Sequence, residues 1–209
     1  MRISKHVHSC LLLEDQGKTV LIDPGEYTAS AKALDINTLE KLDQILITHE
    51  HADHFYPPFL KEILAKFPNT PIITNSSIVE ILKKENIEAV SVGNEFVEVE
   101  EVPHEHVFGV PQMPKNTLFK VFGKLTHPGD SEHYELKTEV LALPVQAPWA
   151  NTTKTVERAL ELKPKVIIPI HDWHWNEAAR AGLYSRFVDF FGKNGIEFKP
   201  LKTGEVVEI

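Results

Sequence analysis

Residues 45–54 read Ile45-Leu46-Ile47-Thr48-His49-Glu50-His51-Ala52-Asp53-His54, an apolar run with three histidines and an aspartate crowded into the six positions 49–54 behind it. The run shows no polar alternation, as expected of a strand covered on both faces. In open α/β sheets, ligand sites gather at the carboxyl ends of such strands. A solvated turn calls for Gly, Asn or Asp and has no use for three imidazoles. Neutral imidazole is the commonest nitrogen ligand at neutral pH, and a neighbouring carboxylate adds oxygen coordination and compensating charge. The stretch therefore reads as a strand that delivers a metal site.

Towards the N-terminus the chain divides into short strands, Ile3 to Val7, His8 to Glu14 and, after a Gln16-Gly17 turn, Thr19 to Ile22 running into Asp23-Pro24-Gly25. Towards the C-terminus helices and strands alternate. Phe59, Leu60, Ile63, Leu64 and Phe67 form a helical stripe after Pro57-Pro58, and Ile78, Ile81 and Leu82 form another behind an Asn75-Ser76 start signal, with a strand at Pro71 to Thr74 between them. Glu95 to Val102 and a hairpin over Leu118 to Leu125, turning at Gly123, read as strands exposed on one side. A strand at Val140 to Leu143 precedes a helix from Asn151 to Leu162, with Val156, Ala159 and Leu160 inward, and a buried strand at Val166 to Ile170. A last helix carries Leu183, Phe187, Phe190 and Phe191 inward, stops at Gly192 to Gly195, and precedes a closing strand near Val206. The longest irregular segment is Pro103 to Asn116, of a length that usually has a functional role.

The 209 residues, 42% of them hydrophobic, can bury a sizeable core as one domain over 1–209. A formal charge of −8 disfavours nucleic acid or an anionic membrane surface as partner, since both need a basic footprint. Residues 1–30 lack a signal-peptide progression and no apolar run approaches the ~18 residues of a spanning helix, so the expected location is cytoplasmic. A single cysteine, Cys10, beside Leu11-Leu12-Leu13, excludes an internal disulfide and reads as core packing.

Three further strand ends offer ligands: His104 in Pro103-His104-Glu105-His106, Asp130 in His127-Pro128-Gly129-Asp130, and His171 in Pro169-Ile170-His171-Asp172. Together His49, His51, Asp53, His54, His104, Asp130 and His171 supply the nitrogen and carboxylate donors that a two-metal centre needs. Two ions about 3.5 to 4 Å apart can hold one hydroxide between them and generate a nucleophile at neutral pH. His106 competes with His104 for the third nitrogen position. His8, His127 and His133 could bind substrate or act as a general acid, although a structural role suits each better. His6 and His174 carry no positional argument. Trp149, Trp173 and Trp175 flank the expected pocket, where core packing is the simpler role.

The order of these residues, with strand-end Asp23 ahead of the HxHxDH block, resembles the metallo-β-lactamase superfamily of metal-dependent hydrolases over nearly the whole chain. The segments His8-Ser9-Cys10, His127-Pro128-Gly129-Asp130 and Pro169-Ile170-His171-Asp172 look most like its small branch of ascorbate-6-phosphate lactonase-like proteins. The resemblance implies an α/β (α+β) fold, a four-layer αββα sandwich of two mixed β-sheets flanked by helices. It implies that His49, His51 and His104 hold one ion, that Asp53, His54 and His171 hold the second, and that Asp130 bridges them. Spacing to Asn116 favours His104 over His106, and Asp23 would orient a ligand histidine from behind.

The expected activity is hydrolysis by a metal-bound hydroxide of a small, anionic ester, lactone or phosphodiester, with Asp53 and Asp130 as catalytic carboxylates. Two divalent ions are implied, zinc first, with manganese or iron as alternatives. A di-iron redox protein of the same fold would show HxExDH where this chain has His51. A non-catalytic metal-binding or sensing protein would keep the ligands without a productive pocket. Neither the substrate nor the oligomeric state follows from the residues.

Overall fold

The computed structural model describes residues 1–209. One sheet contains β1 (Arg2–Lys5), β2 (Leu11–Asp15), β3 (Lys18–Ile22), β4 (Gln44–Leu46), β5 (Ile72–Ile73) and β12 (Val206–Glu208), in the order β12-β1-β2-β3-β4-β5. The other contains β6 (Val97–Pro103), β7 (Lys115–Val121), β8 (Leu125–His127), β9 (Val140–Pro144), β10 (Val166–Ile170) and β11 (Glu197–Phe198), in the order β11-β10-β9-β8-β7-β6. Both are mixed: β3, β4 and β5 pair in parallel, as do β8 to β11, and the remaining pairs are antiparallel. The helices are α1 (Glu26–Ser30), α2 (Pro57–Lys66), α3 (Ser76–Lys84), α4 (Thr152–Leu162) and α5 (Glu177–Lys193).

The apolar runs work as strands buried on two faces. Leu11, Leu13, Val20, Ile22 and Leu46 from the first sheet meet Phe119, Val121, Val140, Ala142, Ile168 and Ile170 from the second in a cluster between the sheets. The alternate residues of the first sheet, Leu12, Leu21, Ile45 and Ile47, turn outward to Phe59, Leu60 and Ile63 of α2 and to Ile78 and Leu82 of α3. Leu141, Leu143 and Ile167 do the same against Ala159 of α4 and Tyr184, Phe187 and Phe191 of α5. Three clusters between four layers constitute the expected αββα sandwich. At roughly 1.5 to 3 kcal/mol per fully buried aliphatic or aromatic side chain, this period-two sorting holds the layers together. Cys10 is fully buried, and burial pushes its thiol up to about 12, as suits a packing role.

Several expectations need correction. β1 ends at Lys5 and β2 begins at Leu11, because His8 takes a left-handed backbone (φ 63°) in a turn that occupies the expected strand start. β7 is buried from Asn116 to Val121 rather than exposed on one side, because β6 and β8 flank it, Phe119 and Val121 pack between the sheets, and Leu118 packs in the cluster beneath α4 and α5. Phe190 is 43% exposed, so the inward face of α5 runs through Tyr184, Phe187 and Phe191. The short elements α1 and β11 lack a period long enough to read. The Asn75 cap and the turn of the β7–β8 hairpin, with Phe122 and Gly123 at positive φ, match their sequence signals, and Asn151, read as the first residue of its helix, caps it instead.

β1, β3 and β4 run in one direction in the first sheet, and β6, β8 and β10 run in one direction in the second. Their carboxyl ends carry His8, Asp23, residues 48–54, His104, Asp130 and His171 respectively.

Candidate metal centre

On the first sheet the segment behind β4 folds around Asp23. This carboxylate is fully buried at a left-handed position (φ 48°) and accepts three hydrogen bonds. Thr48 donates its backbone N–H and its hydroxyl, each at 2.8 Å, and His54 donates Nδ1–H at 2.7 Å. Gly25 lies so close to the loop that a Cβ there would stand 1.8 Å from the Asp53 carbonyl oxygen, and Glu26 N–H donates to the Ala52 carbonyl at 2.7 Å. Asp23-Pro24-Gly25 is thus a clamp on the histidine-rich loop.

The second sheet supports its residues one at a time. His104 donates Nδ1–H to the Glu105 carbonyl at 2.6 Å, and Glu105 N–H donates to the Asp130 carbonyl at 2.8 Å. Asn116 spans the Asp130 turn, donating to the Pro128 carbonyl at 2.9 Å and accepting Asp130 N–H at 3.1 Å. Trp149 Nε1–H donates to Asp130 Oδ2 at 3.0 Å. His171 (φ 65°) is followed by Asp172, whose Oδ2 receives Lys5 Nζ at 2.6 Å and the Tyr184 hydroxyl at 2.7 Å. Arg180 Nε lies 3.0 Å from the same oxygen. Lys5 is almost wholly buried; burial lowers its pKa, which Asp172 opposes.

These supports fix tautomers. The Thr48 hydroxyl gives its proton to Asp23, so His49 Nδ1, 3.1 Å away, acts as its donor. His49, His54 and His104 thus each commit a proton on Nδ1 and turn Nε2 towards the others, the atom that an ion would take. His49 Nε2 and His51 Nδ1 are 3.1 Å apart, and His51 Nδ1 and His104 Nε2 are 3.3 Å apart. A tetrahedral ion with bonds of about 2.0 to 2.1 Å spaces its donors by roughly this much. Asp130 Oδ2 lies 3.6 Å from His104 Nε2 and 4.0 Å from His49 Nε2. Its other oxygen, Oδ1, lies 2.8 Å from His171 Nε2 and 3.2 Å from His54 Nε2, is buried, and has no aligned hydrogen bond. His54 Nε2 and His171 Nε2 are 3.1 Å apart. Two donor groups that could hold a cation result, His49-His51-His104-Asp130 and His8-His54-His171, each with its atoms within 4.8 Å of one another.

The charges call for cations. Burial raises the carboxyl of Asp130, but His171, His54 and His49 outweigh it and hold the group well below the usual carboxylate range. Asp53 is likewise lowered, with His54 and His8 overcoming its burial. Burial pulls His54 down, yet Asp130, Asp23 and Asp53 hold its imidazolium well above the usual value, whereas burial takes His49 well below it. Three carboxylates that favour positive charge at a buried imidazole mark a position where a divalent ion fits, in place of a proton on His54 Nε2, and the orphaned Asp130 Oδ1 faces the same space.

The structure brings His49, His51, Asp53, His54, His104, Asp130 and His171 into one cluster. Asp53 stands at its margin, 3.9 Å from His54 Nε2, with a side chain 26% exposed. His106 is exposed, and His104 alone of the pair turns inward. His127 is a structural residue that donates Nε2–H to the Ser9 carbonyl at 3.0 Å, and His133 is exposed beside Glu105. Two placements differ from expectation. Trp149 grips Asp130 rather than serving the core, and His8 reaches into the cluster, 3.0 Å from Asp53 Oδ2. Burial, then His171, lowers the His8 imidazole to about 3. Trp173 stacks on Tyr27 at 5.5 Å between ring centroids, and Trp175 packs near Tyr184. A cleft of about 970 Å³ has His8, Trp173, Trp175, Tyr184 and Leu201 in its wall.

With an αββα sandwich and a His/Asp cluster where its strand ends meet, the chain belongs to the metallo-β-lactamase superfamily: the sequence model of the beta-lactamase superfamily domain matches residues 2–171. Among curated relatives it is similar to Protein Rv0786c of Mycobacterium tuberculosis, 29% identical over 201 residues, covering 90% of this chain and 92% of that protein. It is also similar to the UPF0173 metal-dependent hydrolase NEQ378 of Nanoarchaeum equitans, 28% identical over 200 residues and covering 84% and 85%. Among solved structures, Igni18, a metallo hydrolase from Ignicoccus hospitalis, superposes with a TM-score of 0.74 at 20% identity over 99% of this chain and 97% of that one, a likeness of fold.

Proposed function

We propose that this chain is a metal-dependent hydrolase with a two-ion centre that cleaves a small anionic ester, lactone or phosphodiester. The observation that carries this reading is Asp130, a buried carboxylate whose two oxygens face two different sets of imidazole nitrogens. His49, His51 and His104 would hold one ion, Asp53, His54 and His171 the other, and Asp130 both. The nitrogen-rich set suits zinc, with manganese and iron as alternatives. When bound, the ions would supply Lewis-acid activation of water and of the scissile bond at neutral pH.

The chain's own groups do the rest. Asp130, with Oδ2 fixed by Trp149, presents Oδ1 to orient the attacking water. Asp53, the more exposed carboxylate, is ionised beside His54 and His8 and would accept a hydrogen bond from a water at the open edge of the cluster, through which the proton lost by the attacking water reaches the leaving group. Asp23 keeps the His54 proton on Nδ1 and so keeps Nε2 available. An imidazole rather than a carboxylate at position 51, within 3.1 to 3.3 Å of two others, favours hydrolysis over di-iron redox chemistry. The relative named a metal-dependent hydrolase adds support.

Elemental analysis combined with a panel of lactone, phosphodiester, carboxylic ester and thioester substrates tests this reading. The expected result is two divalent ions per chain and chelator-sensitive hydrolysis of at least one class. A metal-loaded protein that hydrolyses none of them would overturn it in favour of a sensing role.

A further inference from the structure

His8 has no part in the reaction above, yet much of the molecule fixes it. It is 2% exposed at φ 63°, a backbone conformation that non-glycine residues rarely adopt without functional reason. Three successive carbonyls of its turn each accept a hydrogen bond from a different segment. Thr28 donates its hydroxyl to Val7 at 3.2 Å, His171 donates N–H to His8 at 3.2 Å, and His127 donates Nε2–H to Ser9 at 3.0 Å. The His8 ring lies 4.0 Å from that of His171, and Nε2 meets Asp53 Oδ2 at 3.0 Å.

Proximity to His54 and His171 allows His8 to be a ligand, but its protons argue otherwise. A ligating imidazole presents one bare nitrogen to the ion and donates its other N–H to a partner, as His49, His54 and His104 do here. His8 Nδ1 is buried without a partner. If Nε2 were bare, Nδ1–H would be a stranded donor and a lone pair would face a carboxylate oxygen. If Nε2 carries the proton, it donates to Asp53 and only an acceptor goes unmet.

We propose that His8 is a positioning residue: its Nε2–H holds Asp53 Oδ2 and thereby sets Asp53 for the second ion, without itself coordinating metal. This rests on the two-ion reading. It also assigns a purpose to the pinned turn, which transmits the positions of His171 and His127 to Asp53.

The test uses the full chain loaded with zinc. Long-range ¹H–¹⁵N spectra of the wild-type imidazoles should show His8 protonated on Nε2 and bare on Nδ1. Zinc competition against a chelator should show His8→Phe weakening the second ion by about 10- to 100-fold, the range for removal of a group behind a ligand, with the first ion unchanged. His8→Gln, whose amide can donate to Asp53, should recover most of that loss. In an Asp53→Ala background His8→Phe should have no further effect, because its only route to the metal is gone. A metal-coordinated His8 Nε2, or a further tenfold loss in that background, would overturn the proposal and make His8 a ligand. Unaltered second-ion affinity in both His8 variants would also overturn it. Binding of one ion by the wild-type chain would instead defeat the two-ion reading, while the spectra still report whether His8 donates to Asp53.

Discussion

One sheet brings its share of the centre as a single loop, residues 48–54 behind β4, whereas the other brings His104, Asp130 and His171 from the ends of β6, β8 and β10. The loop depends on one buried carboxylate, Asp23, and on the close approach of Gly25. The strand-end residues depend on separate supports: Asn116 and Trp149 for Asp130, and the Lys5-Asp172-Tyr184 network beside His171. A fault in the loop's support should therefore disturb several donors together, and a fault on the other sheet should disturb one.

Asp130 joins the two halves, and its loss should have the largest effect. Asp130→Asn should lower turnover by about 10²- to 10³-fold or more with the circular dichroism spectrum unchanged; undiminished hydrolysis would remove Asp130 from the reaction. Lys5→Met would leave Asp172 as a buried charge with weakened compensation and should cost about 3 to 5 kcal/mol in urea unfolding. Lys193→Met, which breaks an exposed pair with Asp189, should cost nothing measurable. Equal losses in the two variants would mean that the network near His171 is not a support.

Asp23→Asn should weaken ion binding by about 10- to 100-fold, since His54 loses a charged acceptor. Asn116→Ala should weaken it less, because Trp149 still holds Asp130. Chelator competition on the two variants compares the halves directly, and the reverse order would refute the difference between them.

Much of the loop half was legible because its donors are contiguous and follow an apolar run that can only be a buried strand. The strand-end residues were legible singly, each behind an apolar or alternating run, and their convergence required the resemblance. What escaped depends on contacts between distant positions. His8 read as a strand residue because nothing local announces a left-handed histidine; the anchors that impose it come from Thr28, His127 and His171. Trp149 read as packing because its partner lies 19 residues away, and Lys5 finds Asp172 across 167 residues. One signal was available, since Lys5 shares the inward register of Ile3 in β1.

The smallest expected effect is a tilt of stability with pH in the metal-free protein. Burial lowers His8, His49, His104 and His127 in the folded chain, so the unfolded chain binds more protons as pH falls below about 6.5. Folding stability contributed by these groups should therefore fall as pH falls from 7 to 5. His54, raised when folded, acts in the opposite sense and reduces the slope. Thermal unfolding of chelated protein across that range measures the balance; a Tm that rises on acidification would contradict it.

If each half of the centre holds an ion, hydrolysis needs both. Chelated protein should be titrated with zinc while hydrolysis of the best substrate in the panel is followed. Activity should return fully only as the second equivalent binds, and an Asp130→Asn chain should stay inactive throughout. Full activity at one equivalent, or activity that survives chelation, would contradict it.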